Sequence, residues 1–384
     1  MRIAYVTETY PPEINGVALT VQRSVRHLRR CGHQLLLVRP VQAGEARARD
    51  EQEWRTHGMR IPMYPDLRMG LASVTQLRGG LRAFGVDLVH VATQGPLGRA
   101  AVLAARGLGV PVTSDFRTNF HVYCGHYGLA FAGGVVMHYL RAFHNRTALT
   151  FVPCRALQAD LSARGFERVE VMGRGVDAHL FAPERRSAEL RRHWSAADDA
   201  PVLIYVGRLA PEKNVPLALQ AFAAVHAQRP DARLVVVGDG PLRRDLQASH
   251  PHVHFVGLQR GSELAAHYAS ADVFLFPSLS ETFGNVTLEA LACGLAVVAF
   301  DAAAAGELIR DGRNGLLVRA GDTAGFVRAA CSAGCSDLEA LSALRARARR
   351  TALASDWEPV LHRFEQRLAA LANPVESFGH ASLA

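Results

Sequence analysis

Short runs of β-branched residues and leucine recur along the chain, separated by stretches able to hold a helix. In the first half they read RIAYVTE, QLLLVRP, VDLVHV, VPVTSDF and LTFVPC; in the second, PVLIYVGR, RLVVVGDG, VHFVG, DVFLFPS, AVVAFD and GLLVRAGD. Apolar residues stand at consecutive positions rather than alternate ones, so both faces of each strand are expected to be covered, as in a parallel sheet with helices on either side. Two such series predict two doubly wound, Rossmann-like α/β domains, at 1–175 and 198–356. The strand pattern lapses in GRGVDAHLFAPERRSAELRRHWSAADDAPV, where proline, charge and small residues gather, and the seam is expected there. SDWEPVLHRFEQRLAALA keeps a helical period with no strand after it. It reads as a closing helix over 357–373, with a frayed tail over 374–384.

The 384 residues are 49% hydrophobic and 20% charged, enough for two sizeable cores and unlike a disordered chain. The longest apolar runs, such as ALACGLAVVAF, fall short of the ~20 residues that a spanning helix needs. The opening MRIAYVTE reads as a buried strand rather than a signal peptide, so the cytoplasm is the expected compartment. Cys31, Cys124, Cys154, Cys293, Cys331 and Cys335 form no CxxC pair and no cluster at zinc spacing. They are expected to be reduced and mostly internal, and no metal is expected.

Charge changes the picture by its placement. Residues 1–175 carry 22 Arg against 12 Asp and Glu, whereas the remainder carries 21 Lys and Arg against 23 acids. Such a first half is either a basic face for an anionic partner, such as a membrane surface, or an ordinary arginine-rich surface.

In sheets of this kind ligands bind beyond the carboxyl ends of the strands, so the chemistry is sought in the loops there. GRLAPEKN, 207–214, follows the strand PVLIYV and leads into a helical stretch, with Arg208 and Lys213 five residues apart. Cations beside a helix N-terminus suit an oligophosphate, because side chains and backbone N–H groups then converge on the same oxygens. Lys213 is the sole lysine among 43 basic residues, so a compact point charge stands where the chain otherwise uses a planar fork. After DVFLFPS the chain turns through SETFGN into the helix VTLEALACG, whose first amides, near Phe283, Gly284, Asn285 and Val286, offer a second phosphate contact. Glu281 and Glu289 flank that turn. As acceptor-only groups they suit sugar and ribose hydroxyls, the alternatives being a helix-capping acid and a solvated helix residue.

These residues carry a resemblance. Glu, seven residues, Glu in SETFGNVTLE, preceded by GRLAPEKN and GDGP, resembles the donor-binding domain of the large family 4 of retaining glycosyltransferases. MRIAYVTETYPPEINGVALTVQRSVRHL is similar to that family's first strand and Gly-bearing loop. The resemblance runs from residue 1 to about 370 and implies a GT-B fold. Two facing Rossmann-like domains are then expected, acceptor domain first, with the final helix crossing back to it. It implies that Arg208 and Lys213 grip the donor diphosphate, Glu281 the transferred sugar and Glu289 the ribose. It further implies that amides near Phe283, Gly284, Asn285 and Val286 line the pyrophosphate, with Gly16 approaching from the other domain. Gly207, Asp239 and Gly240 in VVVGDGP, and Val256 and Gly257 in HFVG, are implied for the donor; GDGP alone is also ordinary turn chemistry. Where many relatives carry a histidine before a threonine, this chain reads SDFRTNFHVY, so Arg117, Thr118 and His121 are the candidates beside the sugar.

The resemblance implies no cofactor beyond a nucleotide-sugar donor, GDP-mannose or UDP-glucose, with mannose favoured. It implies a lipid or glycan acceptor; a diacylglycerol glycosyltransferase dependent on UDP-glucose, or on UDP-glucuronate or UDP-galactose, is the alternative. In 59–84, Arg60, Arg68, Arg78 and Arg82 alternate with Leu67, Met69, Leu71, Leu77, Leu81 and Phe84. Part of the segment is either a basic amphipathic helix lying on an anionic bilayer, at the inner face of the plasma membrane, or a domain helix that buries its leucines and keeps a wet arginine face. A nicotinamide oxidoreductase is disfavoured, since no strand leads into GxGxxG with an acid about 20 residues on. A nucleic-acid partner is not expected with aromatics at 7% and no Arg/aromatic interleaving. A GT-B sugar-nucleotide epimerase or phosphorylase stays open, because fold does not fix function.

Overall fold

The computed structural model describes residues 1–13, 15–42, 45, 50–61, 64–117 and 133–373. Thr118, His121, Cys124 and the expected tail over 374–384 therefore lie outside the described residues.

The first sheet holds β1 (Arg2–Val6), β2 (Gln34–Pro40), β3 (Glu53–Ile61), β4 (Tyr64–Leu71), β5 (Leu88–Val91), β6 (Val112–Asp115), β7 (Leu149–Val152) and β8 (Val169–Val171). Its order is β4-β3-β2-β1-β5-β6-β7-β8. Every neighbouring pair is parallel except β3 and β4, an antiparallel edge hairpin. The second sheet holds β9 (Val202–Val206), β10 (Arg233–Val237), β11 (His254–Gly257), β12 (Val273–Phe276), β13 (Ala296–Phe300) and β14 (Leu316–Val318). It is wholly parallel in the order β11-β10-β9-β12-β13-β14. The expected two doubly wound α/β domains are present.

Alternate residues of one strand feed opposite layers, which is why the runs are continuously apolar. Ile204 and Val206 of β9 pack with Phe274, Leu288 and Leu291 in one layer, while Leu203 and Tyr205 pack with Val215, Leu219 and Phe222 in the other. In each sheet the chain lays its strands outward in one direction and then returns to the far side of its first strand. The reversal falls between β9 and β12 in one sheet and between β1 and β5 in the other. Loops leaving such a pair of strands part to opposite faces and open a crevice at the carboxyl edge.

One open alternative is decided and one expectation is corrected. Within 59–84, residues 59–61 and 64–71 belong to the β3–β4 hairpin, and Val74–Phe84 is the domain helix of the second alternative. Ser73 and Gln76 close a capping box that fixes where this helix starts, and it buries Leu77 and Leu81 in the domain core. Those leucines are therefore not available to a bilayer, while Arg78 and Arg82 are exposed. The cysteines are less internal than expected. The five described ones are free thiols, and of these only Cys154 and Cys293 are buried.

The closing helix, Trp357–Ala372, returns to the first domain. Phe364 and Leu368 pack among Ile3, Tyr5, Val25, Leu37 and Phe151. His33 and Glu365 pair at 3.1 Å, and the Arg23 guanidinium lies 5.5 Å from the Trp357 ring centroid. Phe364 is 3% exposed. Phe364→Ala is expected to destabilise the chain by about 3–5 kcal/mol, read as a lower urea midpoint at unchanged slope. A loss under about 1 kcal/mol would mean that this helix is only loosely attached.

Candidate active site between the two domains

The loop after β9 and the loop after β12 leave the sheet on either side of the strand reversal, and side chains tie them together. Lys213 Nζ donates to Glu281 Oε1 at 2.5 Å, with side chains 15% and 17% exposed. Ser278 Oγ donates to the same carboxylate oxygen at 3.0 Å, and Ser280 Oγ donates to the Glu212 carbonyl at 2.9 Å. Arg208 lies 3.6 Å from Glu212, a buried carboxylate. Burial first, then the charges of Glu281 and Glu212, pushes the neighbouring Tyr205 phenol well above its ordinary range. Sequence reasoning named Arg208, Lys213 and Glu281 but missed Glu212; its position four residues after Arg208 was the available signal.

Close backbone packing brings the third loop in. Leu209 N–H donates to the Asp239 carbonyl at 2.9 Å, and Leu242 N–H to the Leu209 carbonyl at 3.0 Å. A Cβ at Gly240, whose φ is 156°, would lie 2.5 Å from the Leu209 carbonyl, so only glycine fits that approach. Gly207 N–H donates to the Val237 carbonyl, and Gly238 N–H to the Gly257 carbonyl. Asp239 accepts from Arg243 at 3.1 Å and caps its neighbouring Gly240 N–H at 2.8 Å. The Val256 carbonyl accepts from Gln259 at 3.0 Å. The structure thus gathers Gly207, Arg208, Lys213, Asp239, Gly240, Val256, Gly257 and Glu281 at one edge of the second sheet.

The helix Asn285–Ala292 opens at the same edge. Its N-cap, Gly284, sits at φ 88°, and no side chain caps the first turn, although Thr287 N–H donates to the Gly284 carbonyl at 3.0 Å. Phe283 is buried and its carbonyl accepts from Ala304 N–H at 2.9 Å; Asn285 and Val286 are half-buried. Glu289, one turn on, accepts from the Tyr268 hydroxyl at 3.2 Å. It is half-buried rather than solvated, and burial, partly offset by the Tyr268 hydrogen bond, lifts its carboxyl from 4.5 to about 7.

The first domain closes over this edge. A Cβ at Gly16 would lie 3.4 Å from Asn285 Nδ2, and Gly16 begins the helix Gly16–Arg30. Two helix N-termini, one from each domain, therefore meet at one place. Thr282 Oγ1 donates to the Arg117 carbonyl at 2.9 Å, the Cys154 thiol approaches the Thr282 carbonyl at 3.4 Å, and Arg155 N–H donates to Glu307. The Arg117 guanidinium is buried and committed to Asp115, its Nε at 2.6 Å. Asp115 also pairs with His90 at 3.0 Å. Burial opposes ionisation of Asp115, but the charges of Arg117 and His90 outweigh it and hold the carboxyl well below its ordinary range. Arg174 shares this region; burial, then repulsion from Arg117, pushes its guanidinium down to about 9. Arg117 reaches the interface through its backbone, and Arg174 had no sequence signal, since burial alone sets it apart. Among the described residues, no three His, Cys, Asp or Glu side chains gather as a metal site would require.

Two Rossmann-like sheets with their carboxyl edges closed on a crevice of cations and helix N-termini define a GT-B glycosyltransferase. The chain belongs to the glycosyltransferases of group 1 and family 4: the Glycosyltransferase Family 4 profile matches residues 14–180 and the Glycosyl transferases group 1 profile residues 200–333. It is 40% identical to a GDP-mannose-dependent alpha-mannosyltransferase of Mycobacterium tuberculosis, covering 84% of this chain and 85% of the relative. A protein of the same name from Mycolicibacterium smegmatis is 39% identical over 94% of this chain and 95% of its own. An alpha-monoglucosyldiacylglycerol synthase of Streptococcus pneumoniae is 29% identical over 83% of this chain and 75% of its own. Among solved structures, the sucrose-phosphate synthase of Thermosynechococcus elongatus superposes with a TM-score of 0.77 at 18% identity, covering 97% of this chain and 99% of that one.

Because Glu289 ionises near 7 in the folded chain and near 4.5 when free, its contribution to stability is fully present below 4.5 and is lost as the pH rises through 7. Glu289→Gln removes that dependence. Urea unfolding of both proteins between pH 5 and 8 is expected to show the variant gaining on the parent as the pH rises. A difference that stays flat across this window would mean that the Glu289 carboxyl is not raised in the folded chain.

Proposed function

We propose that this glycosyltransferase moves mannose from GDP-mannose to a hydroxyl of a lipid or glycan acceptor, with retention of the anomeric configuration. The observation that carries the reading is the meeting of Lys213, Arg208 and two helix N-termini in one crevice, in a chain whose relatives include GDP-mannose-dependent mannosyltransferases. Residues 198–356 bind the donor; residues 1–175, with the closing helix 357–373, bind the acceptor.

Arg208 and Lys213 hold the donor diphosphate, and the amides near Phe283, Gly284, Asn285 and Val286 line it from one side with Gly16 from the other. Glu281 accepts from hydroxyls of the transferred sugar and Glu289 from those of the ribose. Gly207, Asp239, Gly240, Val256 and Gly257 border the nucleoside. Departure of the nucleoside diphosphate leaves negative charge on the pyrophosphate, and fixed cations and helix dipoles aimed there stabilise the transition state without reorganising. The bond from the anomeric carbon to the phosphate oxygen breaks as an oxocarbenium-like ion pair forms. The acceptor hydroxyl enters on the face the phosphate leaves, and its proton passes to the departing phosphate oxygen. Arg117 acts as a positioning residue: its carbonyl accepts from Thr282, beside Glu281, while Asp115 holds its guanidinium in place. Thr118 and His121 follow it in the chain and are the candidates for direct sugar contact.

A second reading is transfer of glucose from UDP-glucose to diacylglycerol, supported by the similarity to the Streptococcus pneumoniae synthase. Either acceptor favours peripheral contact between the arginine-rich first domain and an anionic membrane, at the inner face of the plasma membrane. Exposed Met59 and Leu71 on the β3–β4 hairpin, and Arg78 and Arg82 beside it, support this contact.

Thermal unfolding with GDP, UDP, ADP and NAD tests the donor. A nucleotide present at about 100 times its dissociation constant should add ~2.7 kcal/mol of stability. GDP is expected to stabilise most, and Lys213→Ala to abolish the gain. Stabilisation by UDP alone would favour the glucosyl reading, and stabilisation by NAD alone would overturn both.

A further inference from the structure

A second concentration of cations lies outboard of β14, the edge strand of the second sheet. A cleft of about 330 Å³ opens between the loop 309–314 and the helix Leu338–Leu353, and Arg310, Arg313, Arg347 and Arg350 line it. None of its lining residues belongs to the loops that form the donor crevice. Among the described residues no carboxylate lines it either. The two acids nearest in sequence are turned elsewhere: Glu307 accepts from Arg155 N–H, and Asp311 accepts from Leu317 N–H at 2.9 Å. Among the described residues none of the four guanidinium groups is ion-paired, although Arg345 and Arg349, on the same helix, are engaged by Asp272 and by backbone carbonyls.

The floor of the cleft is braced. Asn314 is buried; its Nδ2 donates to Thr351 Oγ1 at 2.8 Å and to the Leu308 carbonyl at 2.9 Å, while its Oδ1 accepts from Arg310 N–H at 2.6 Å. This residue locks the loop to the helix. Arg347 Nε donates to the Arg313 carbonyl, and one Arg310 nitrogen to the Glu307 carbonyl at 3.2 Å, so two guanidinium groups are held by backbone while keeping further N–H donors. Arg313 and Arg350 are exposed at the mouth. Four like charges held at one concavity repel unless an anion sits among them, and planar five-donor forks match phosphate oxygens in pairs.

We propose that this cleft is a second anion site, separate from the donor crevice, that binds a ligand carrying two or more phosphate charges. Its volume admits a pyrophosphate-sized group, whether free in solution or presented by a phospholipid headgroup. Binding there does not require any residue that handles the donor.

Calorimetric titration of the full chain with inorganic pyrophosphate at low salt tests the proposal, using the parent, Lys213→Ala and the double variant Arg313→Ala/Arg350→Ala. The double substitution touches two exposed side chains, and a matched thermal midpoint establishes that it folds. Lys213→Ala is expected to keep one binding event, because it alters only the donor crevice. The double variant is expected to lose that event by about tenfold or more in affinity while retaining glycosyl transfer. Co-sedimentation with phosphatidylcholine vesicles, with and without a phosphatidylinositol phosphate whose headgroup carries a phosphomonoester, assigns the source. Retention on the anionic vesicles that falls in the double variant assigns a headgroup; pyrophosphate binding without such retention assigns a soluble phosphate. Pyrophosphate titration and vesicle retention that are both unchanged by Arg313→Ala/Arg350→Ala would overturn the proposal.

Discussion

The ion pair between Lys213 and Glu281 joins the loops that leave β9 and β12, the two strands between which the second sheet reverses its order. Each of these half-buried groups needs a counter-charge, and at 2.5 Å each supplies it to the other. The pair sets a cation and an acceptor carboxylate side by side on one wall of the crevice. Ser278 braces the carboxylate directly, and Ser280 holds the loop through the Glu212 carbonyl, so the two loops behave as one rigid wall. A lysine suits this place because its compact ammonium meets one carboxylate oxygen as a point charge, where a planar fork would seek two.

The second wall comes from the first domain, and the closing helix is what keeps it in reach. Phe364 and Leu368 anchor that helix in the first domain, while the isolated bridge between Val176 and Asp356 ties its start to the linker. Among the described residues, Thr282 meets the Arg117 carbonyl, Cys154 meets Thr282 and Arg155 meets Glu307, and buried apolar residues of both domains, Leu157 and Leu161 with Phe283 and Ala304, share one core cluster. A donor enclosed between the domains is thereby shielded from water, which strengthens every charge interaction aimed at it.

Much of the fold was legible because parallel strands covered on both faces leave an unbroken apolar signature, and because the closing helix keeps its period. The β3–β4 hairpin was not, since its mixture of arginine with methionine and leucine runs on into a true helix at Val74; the prolines at 62 and 65 were the signal against a single helix. β8 is three residues long, too short to carry a pattern. At the site, Arg208, Lys213 and Glu281 were legible from loop chemistry after strands. The burial of Glu289 depends on Tyr268, from the helix Gly261–Ser270, and no local rule foresees that contact. The same holds for Arg117, whose backbone rather than its side chain meets the other domain.

The central claim is that this crevice binds a nucleoside diphosphate sugar through Lys213 and releases the sugar with its configuration kept. The most direct measurement is turnover of GDP-mannose labelled with ¹³C at the anomeric carbon, followed by NMR, with UDP-glucose supplied in parallel. The account predicts an α-mannosidic product with release of GDP, and a fall of about 10²–10³ in kcat for Lys213→Ala. A β-linked product, or turnover that is indifferent to Lys213, would contradict it.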